Sequence, residues 1–254
     1  IDSLVQTVDL ADRLKIRVAQ GDALHVTNDL PGLQGPDLAA RAAAALLTAK
    51  GVRRHVEIQV TKHIPAGAGL GGGSSDAAAV LRFLDRSVPP ALPRRLLDEV
   101  AAQLGSDVPL FLAGGSLRVR GRGELVEACA SPPGSVFAIL VPPVHCATPA
   151  VYAAWRTRPE SATAPCALGT NDLLAPALAT YPDLVPYDQA IRRVAGDYAG
   201  MSGSGASFYA AFDGPEQAER AIEELRDAFP EARTFLCRPT PSGSRWLEEG
   251  GEIR

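Results

Sequence analysis

Disulfide and metal chemistry have little to work with in this chain. Its four cysteines are Cys129, Cys146, Cys166 and Cys237, and none forms a C-x-x-C pair. A chain of 254 residues buries a core without covalent staples, so the four read as reduced thiols. The four histidines, His25, His55, His63 and His145, include no i, i+4 pair and none at ligand spacing from a cysteine. That pattern gives no support to a dedicated transition-metal site. Apolar runs fall short of the roughly 20 residues that span a membrane, and no signal peptide is visible. Basic runs are missing too, and the formal net charge is −4. Nothing global therefore suits a nucleic acid, and an anionic ligand needs local donors. What remains, 46% hydrophobic and 21% charged residues, is the balance of an ordinary globular protein.

Periodicity gives the organisation. Leu14 to Val18 alternates as a half-buried strand does, Leu24 to Thr27 is a second short strand, and His55 to Val60 alternates strictly. Leu38 to Leu47 has helical spacing ended by Gly51. Helices are expected over Ser74–Phe83 and Leu92–Leu104, the second closed by Gly105. Short strands follow around Leu117–Arg120 and Glu124–Val126. Ser131-Pro132-Pro133-Gly134 breaks the composition, which divides the chain into domains over 1–131 and 132–254. Beyond it come a buried strand at Val136–Val141, a helix at Thr148–Trp155 and a loop at Arg156–Gly169. Helices at Asp172–Ala179, Asp183–Val194 and Glu216–Phe229 then mix with strands at Ser207–Phe212 and Arg233–Arg238, an α+β pattern. The polar segment after Pro241 reads as a loose tail.

The segment Pro65-Ala66-Gly67-Ala68-Gly69-Leu70-Gly71-Gly72-Gly73-Ser74-Ser75 places five glycines within seven residues, immediately before a helix. Glycine bends the backbone at positive φ and lets N–H groups approach an anion. The helix start adds unpaired N–H groups and partial positive charge. Together they make a phosphate cradle, to which Ser74 and Ser75 can add hydroxyls toward phosphate or Mg2+. Ser74 or Ser75 is expected to cap the helix as well, but a plain capped turn would need far fewer glycines. A Walker loop requires Gly-Lys-[Ser/Thr], but Gly73 is followed by Ser74. Gly67, Gly69 and Gly72 match G-x-G-x-x-G, yet a second helix rather than a second strand follows.

Three further features are ambiguous alone. Asp107, in Gly105-Ser106-Asp107-Val108-Pro109, either satisfies turn N–H groups or presents a carboxylate to an acceptor hydroxyl. Gly200-Met201-Ser202-Gly203-Ser204-Gly205 is either a tight turn or a partner of the first loop. Tyr152 is either core or a stacking face for a base.

The order of these motifs resembles the GHMP kinase superfamily, from Ile1 to about Arg238. The likeness is greatest to the branch acting on a cytidine-diphosphate-linked methylerythritol in non-mevalonate isoprenoid synthesis. Gln6 to Leu10, Pro149 to Tyr152 and Asn171-Asp172-Leu173 fit that branch. The resemblance implies a two-domain α+β fold with the active site in the cleft between domains. It implies ATP and Mg2+ as cofactors, a small-molecule acceptor, and a cytoplasmic kinase bound to neither membrane nor nucleic acid. Pro65 to Ser75 would hold the ATP phosphates, and Asp107 would be the catalytic aspartate. Tyr152 would stack on cytosine, Thr148 would line the acceptor site, and Gly203 and Gly205 would brace the first loop. Two features depart from the family. Its opening Pro-Ala-Lys strand, which carries a second catalytic residue, and the Gly-Tyr-His after it have no counterpart from Ile1 onward. The expectation is a chain that starts in mid-domain and is feeble alone. The other departure is Asp37-Leu38 where the family usually has Asn-Leu near the adenine. Rival expectations are a homoserine or mevalonate type of kinase, and a nucleotide-binding relative without catalysis.

Overall fold

The computed structural model describes residues 1–29, 37–131, 134, 136–156, 167–195, 198–247 and 252–253. Pro132 and Pro133, most of the loop expected over Arg156–Gly169, and Cys166 lie outside them. The chain divides into two units, one of Ile1–Ile64, Gly71–Ala130 and Thr240–Arg254, the other of Pro65–Leu70 and Ser131–Pro239.

In the first unit, alternation becomes sheet. Strands β1 (Asp2–Gln6), β2 (Arg13–Ala19), β3 (Leu24–Asn28) and β4 (His55–Thr61) come early. β4 buries Val56, Ile58 and Val60 and turns Glu57 and Gln59 outward, the period-2 pattern of a sheet with one covered face. β2 pairs antiparallel and β3 parallel with β4. The parallel pair needs a crossover, supplied by helix α1 (Leu38–Lys50). Asp37 starts α1 by accepting the Ala39 N–H at 2.8 Å, and Gly51 ends it in the left-handed conformation. Helices α2 (Gly72–Ser87), α3 (Arg94–Leu104) and α4 (Val108–Ala113) follow. Their apolar faces form one core with α1 and the inner face of β2 and β4, built around Leu14, Leu46, Ile58, Leu81 and Leu84. Strands β5 (Ser116–Arg120) and β6 (Leu125–Ala128) join β1 in a three-stranded antiparallel sheet.

The second unit is a four-stranded antiparallel sheet with helices on it. Its elements are β7 (Val136–Val141), α5 (Thr148–Arg156), α6 (Leu174–Thr180), α7 (Val185–Ala195), β8 (Ala199–Met201), β9 (Phe208–Phe212), α8 (Pro215–Ala228) and β10 (Arg233–Cys237). The strand order is β10-β7-β9-β8. Every residue of β7 is buried, as its unbroken apolar run requires of a strand covered on both faces.

The C-terminal segment is not a loose tail of the second domain. Thr240 donates its N–H to the Thr7 carbonyl at 2.8 Å, and Thr7 returns its hydroxyl to the Thr240 carbonyl at 3.1 Å. Strands β11 (Trp246–Leu247) and β12 (Glu252–Ile253) then extend the first unit's sheet along β2. Backbone pairing, which needs no apolar side chains, fixes this polar segment. Its closest approach is glycine against backbone. Gly114 has φ +69° and ψ 171°, and a Cβ there would lie 1.9 Å from the Gly243 nitrogen. That dihedral region is essentially glycine-only. Gly114→Ala should therefore lower stability by about 3 kcal/mol, the sum of backbone strain and overpacking. A fall in urea midpoint at unchanged slope would register it; an unchanged midpoint would mean that the segment detaches freely.

Candidate active site

The glycine segment leaves β4 and ends as the first turn of α2. The helix begins two residues earlier than its spacing predicts, at Gly72. Ser74 and Ser75 do not cap it. The N-cap is Gly71 at φ +69° with no side-chain cap, and the Ser75 hydroxyl donates to the Gly72 carbonyl at 2.9 Å. The first-turn N–H groups of a 16-residue helix thus receive no side-chain acceptor, and Gly73 is exposed. Such a terminus favours an anion.

Two sets of contacts hold the segment, one in each unit. Within the second unit, Ser202 donates its hydroxyl to the Gly69 carbonyl at 2.9 Å, and Ser207 donates its N–H to the Ala68 carbonyl at 3.1 Å. Asn171 in turn donates its amide to the carbonyls of Met201 and Gly203, both at 2.8 Å. The two glycine clusters, ambiguous separately, are therefore hydrogen-bonded partners. The Thr148 and Ser204 hydroxyls lie 2.8 Å apart. Thr148 and the half-buried Tyr152 are four residues apart on α5 and share one of its faces.

Within the first unit, Gly71 lies over the ring of Phe111, with a Cβ there 2.7 Å from two ring atoms. Phe111 belongs to α4, which starts directly after Asp107. Asp107 occupies the N-cap position without making a side-chain cap bond, so its carboxylate is not spent on the turn. The residue is exposed, yet the protein around it desolvates the carboxyl enough to raise its pKa above the ordinary aspartate value. The structure thus ties the loop's second half to the helix carrying Asp107. It ties the first half to the cluster that touches Thr148.

Spacing gave no hint of a buried ionic centre in the first unit. Lys62 reaches Asp76 of α2 at 2.7 Å and also bonds Asp12. Asp12 and Asp76 are 3% and 5% exposed, so each needs a compensating charge. Burial, then the charge of Asp12, pushes Asp76 up to about 7 against the pull of Lys62. Burial pulls Lys62 down, but Asp76 and Asp12 together hold it above its ordinary value. One signal could have exposed the centre. Asp76, Val80 and Leu84 form a buried i, i+4, i+8 stripe on α2, where a carboxylate demands a partner. Asp37, the departure from the family pattern, is occupied as the cap of α1 and accepts the Asn28 amide at 3.2 Å.

Among the described residues, no group of three or more His, Cys, Asp or Glu could hold a metal ion. Among the described residues, no cysteine takes part in a disulfide. No described helix is long and apolar enough to cross a membrane.

The family model described as GHMP kinases N terminal domain matches residues 37–115, and GHMP kinases C terminal matches 167–231. A 4-diphosphocytidyl-2-C-methyl-D-erythritol kinase of Thiobacillus denitrificans is 34% identical over 233 residues, covering 89% of this chain and 83% of that protein. One of Paramagnetospirillum magneticum is 36% identical over 249 residues, covering 91% and 86%. The crystal structure of a 4-(cytidine 5'-diphospho)-2C-methyl-D-erythritol kinase superposes with a TM-score of 0.75 at 34% identity, covering 92% of this chain and 89% of that one.

Proposed function

We infer the reaction from one premise: the chain belongs to the GHMP kinase family. It transfers the γ-phosphoryl group of ATP to the 2-hydroxyl of 4-diphosphocytidyl-2-C-methyl-D-erythritol, a step of cytoplasmic non-mevalonate isoprenoid synthesis. The observation that carries this reading is the uncapped glycine start of α2, reached through a segment whose Gly69 carbonyl accepts the Ser202 hydroxyl. The relatives named above carry the choice of acceptor.

In this mechanism the N–H groups of Gly72 and Gly73 hold the phosphate chain. Asp107 orients the acceptor hydroxyl and takes its proton. The new O–P bond forms as the β–γ bridge breaks, and ADP leaves. Positioning and charge stabilisation supply most of the acceleration in such transfers. Mg2+ would be held mainly by the phosphates and its own waters with few protein oxygens, so it would not need the acidic cluster that the described residues lack. Ser74 is the hydroxyl at the cradle that could reach it, and the ion would offset phosphate charge. Thr148 and Tyr152 form the acceptor side, the tyrosine ring stacking on cytosine.

Stacking on an aromatic ring contributes about 1–3 kcal/mol per base. Tyr152→Ala should accordingly raise KM for the cytidylyl acceptor about five- to 150-fold and leave KM for ATP alone. Steady-state ADP release read against both substrates is the measurement. Equal turnover of homoserine or mevalonate, or an unmoved acceptor KM, would overturn the assignment.

A further inference from the structure

Both ends of the phosphate loop are anchored to the same three side chains. At the entry, Asp12 accepts the N–H groups of His63 at 2.6 Å and Ile64 at 2.8 Å, the two residues before Pro65. At the exit, Asp76 sits in the second turn of α2, directly after Ser75. Lys62 joins the two carboxylates, and its own N–H is fixed by Asp29 at 2.9 Å. The ammonium also lies close beneath the cradle, since a Cβ on Gly72 would be 3.4 Å from Lys62 Nζ and 3.0 Å from Ile64 Cγ2. All these residues belong to the first unit. Two carboxylates share one ammonium, and Asp76 Oδ1 is buried without a hydrogen-bond partner. A buried, incompletely satisfied centre is a poor device for stability alone. As a staple between the two ends of a glycine-rich excursion it removes the freedom that five glycines would otherwise leave the loop.

We propose that Lys62, bridging Asp12 and Asp76, is a positioning residue that sets the spacing between the entry and exit of the phosphate loop and thereby its affinity for the triphosphate of ATP. The inference rests on the reading of Pro65–Ser75 as the phosphate loop. Lys62 acts through Asp12 on the Ile64 N–H and through Asp76 on the start of α2. Its removal should therefore weaken the triphosphate and spare the nucleoside.

The test is titration calorimetry with a non-hydrolysable ATP analogue, beside ligand-observed NMR with adenosine. Lys62→Met/Asp76→Asn removes the bridge and the charge at position 76, and leaves Asp12 with the N–H groups of His63 and Ile64. The expected result is about tenfold weaker binding of the analogue and unchanged adenosine binding. Lys62→Arg keeps the charge and the reach to both carboxylates, so it should retain most of the analogue affinity. A lower unfolding midpoint with unchanged analogue affinity would make the centre merely structural and overturn the proposal. So would equal losses for the analogue and adenosine. If the double variant does not fold, Asp76→Asn alone, which keeps the side-chain volume, is read by the same two outcomes. Should the unsubstituted chain fail to bind the analogue, the phosphate-loop reading itself falls, a result distinct from binding that the variants leave unchanged.

Discussion

Asp107→Asn should cut phosphoryl transfer by about 10²–10⁴-fold, the usual worth of a positioned acid–base group, and leave ATP affinity nearly unchanged. The carboxylate makes no capping bond at the start of α4, so the amide deprives no backbone N–H of its acceptor. Folding should tolerate the change for a second reason. Desolvation by the surrounding protein lifts the Asp107 pKa above its ordinary value. A carboxyl raised in the folded state stabilises the fold at low pH and loses that contribution as pH rises through the folded pKa. At neutral pH the ionised group thus weighs against the fold, and an uncharged amide removes the penalty. Activity has the opposite dependence. The base must be ionised, so the rate should fall as pH drops through the raised pKa, at a higher pH than an ordinary aspartate would give. Single-turnover transfer with enzyme in excess of ATP, followed across pH, reads both effects. Asp107→Asn should abolish the acidic limb. A limb that survives the substitution would assign it to another group, and a loss smaller than about threefold would remove Asp107 from the chemistry.

Legibility followed the range of each interaction. The alternation of His55–Val60 and the Gly51 stop of α1 are local, and the structure reproduces both nearly residue for residue. Local signals failed where they were too short or shared. Val-Pro-Leu-Phe-Leu-Ala, now α4, is an unbroken apolar run of six residues with no period to count. The serines after the glycine cluster looked like caps, but α2 starts before them because glycine at 71 enters the turn at positive φ. Contacts between distant segments left no periodic trace. Thr7 and Thr240 pair across 233 positions, and Lys62 meets Asp12 across 50. Motif order, by contrast, did carry information over distance. The family resemblance that this order carries implied that Gly203 and Gly205 brace the first loop, and in the structure their neighbour Ser202 donates to the Gly69 carbonyl.

Gly69→Ala should abolish most nucleotide binding, with a loss of about a hundredfold in ATP affinity and a smaller loss of stability. Gly69 has φ +74°, where a side chain is strained, and a Cβ there would lie 2.5 Å from the Gly205 carbonyl oxygen and 2.8 Å from that of Ser202. Both obstacles are backbone atoms, and neither can rotate away as a side-chain tip does. The methyl group therefore forces apart the two glycine clusters. It breaks the Ser202 bond to the Gly69 carbonyl and the Ser207 bond to the Ala68 carbonyl. Strain and overpacking together should cost about 2–4 kcal/mol of stability, measurable as a lower urea midpoint. The larger effect belongs to binding, because a cradle displaced by an ångström no longer aims its N–H groups at one anion. Gly214→Ala, with extended φ and nothing within 4 Å of the added Cβ, controls for glycine replacement in general and should leave affinity intact. A Gly69→Ala chain that binds ATP like its parent would show that the opposing carbonyls yield. The second cluster would then merely pack against the phosphate loop, and the work of shaping the cradle would fall to the first unit, where Phe111 backs Gly71 and Lys62 joins the loop's two ends.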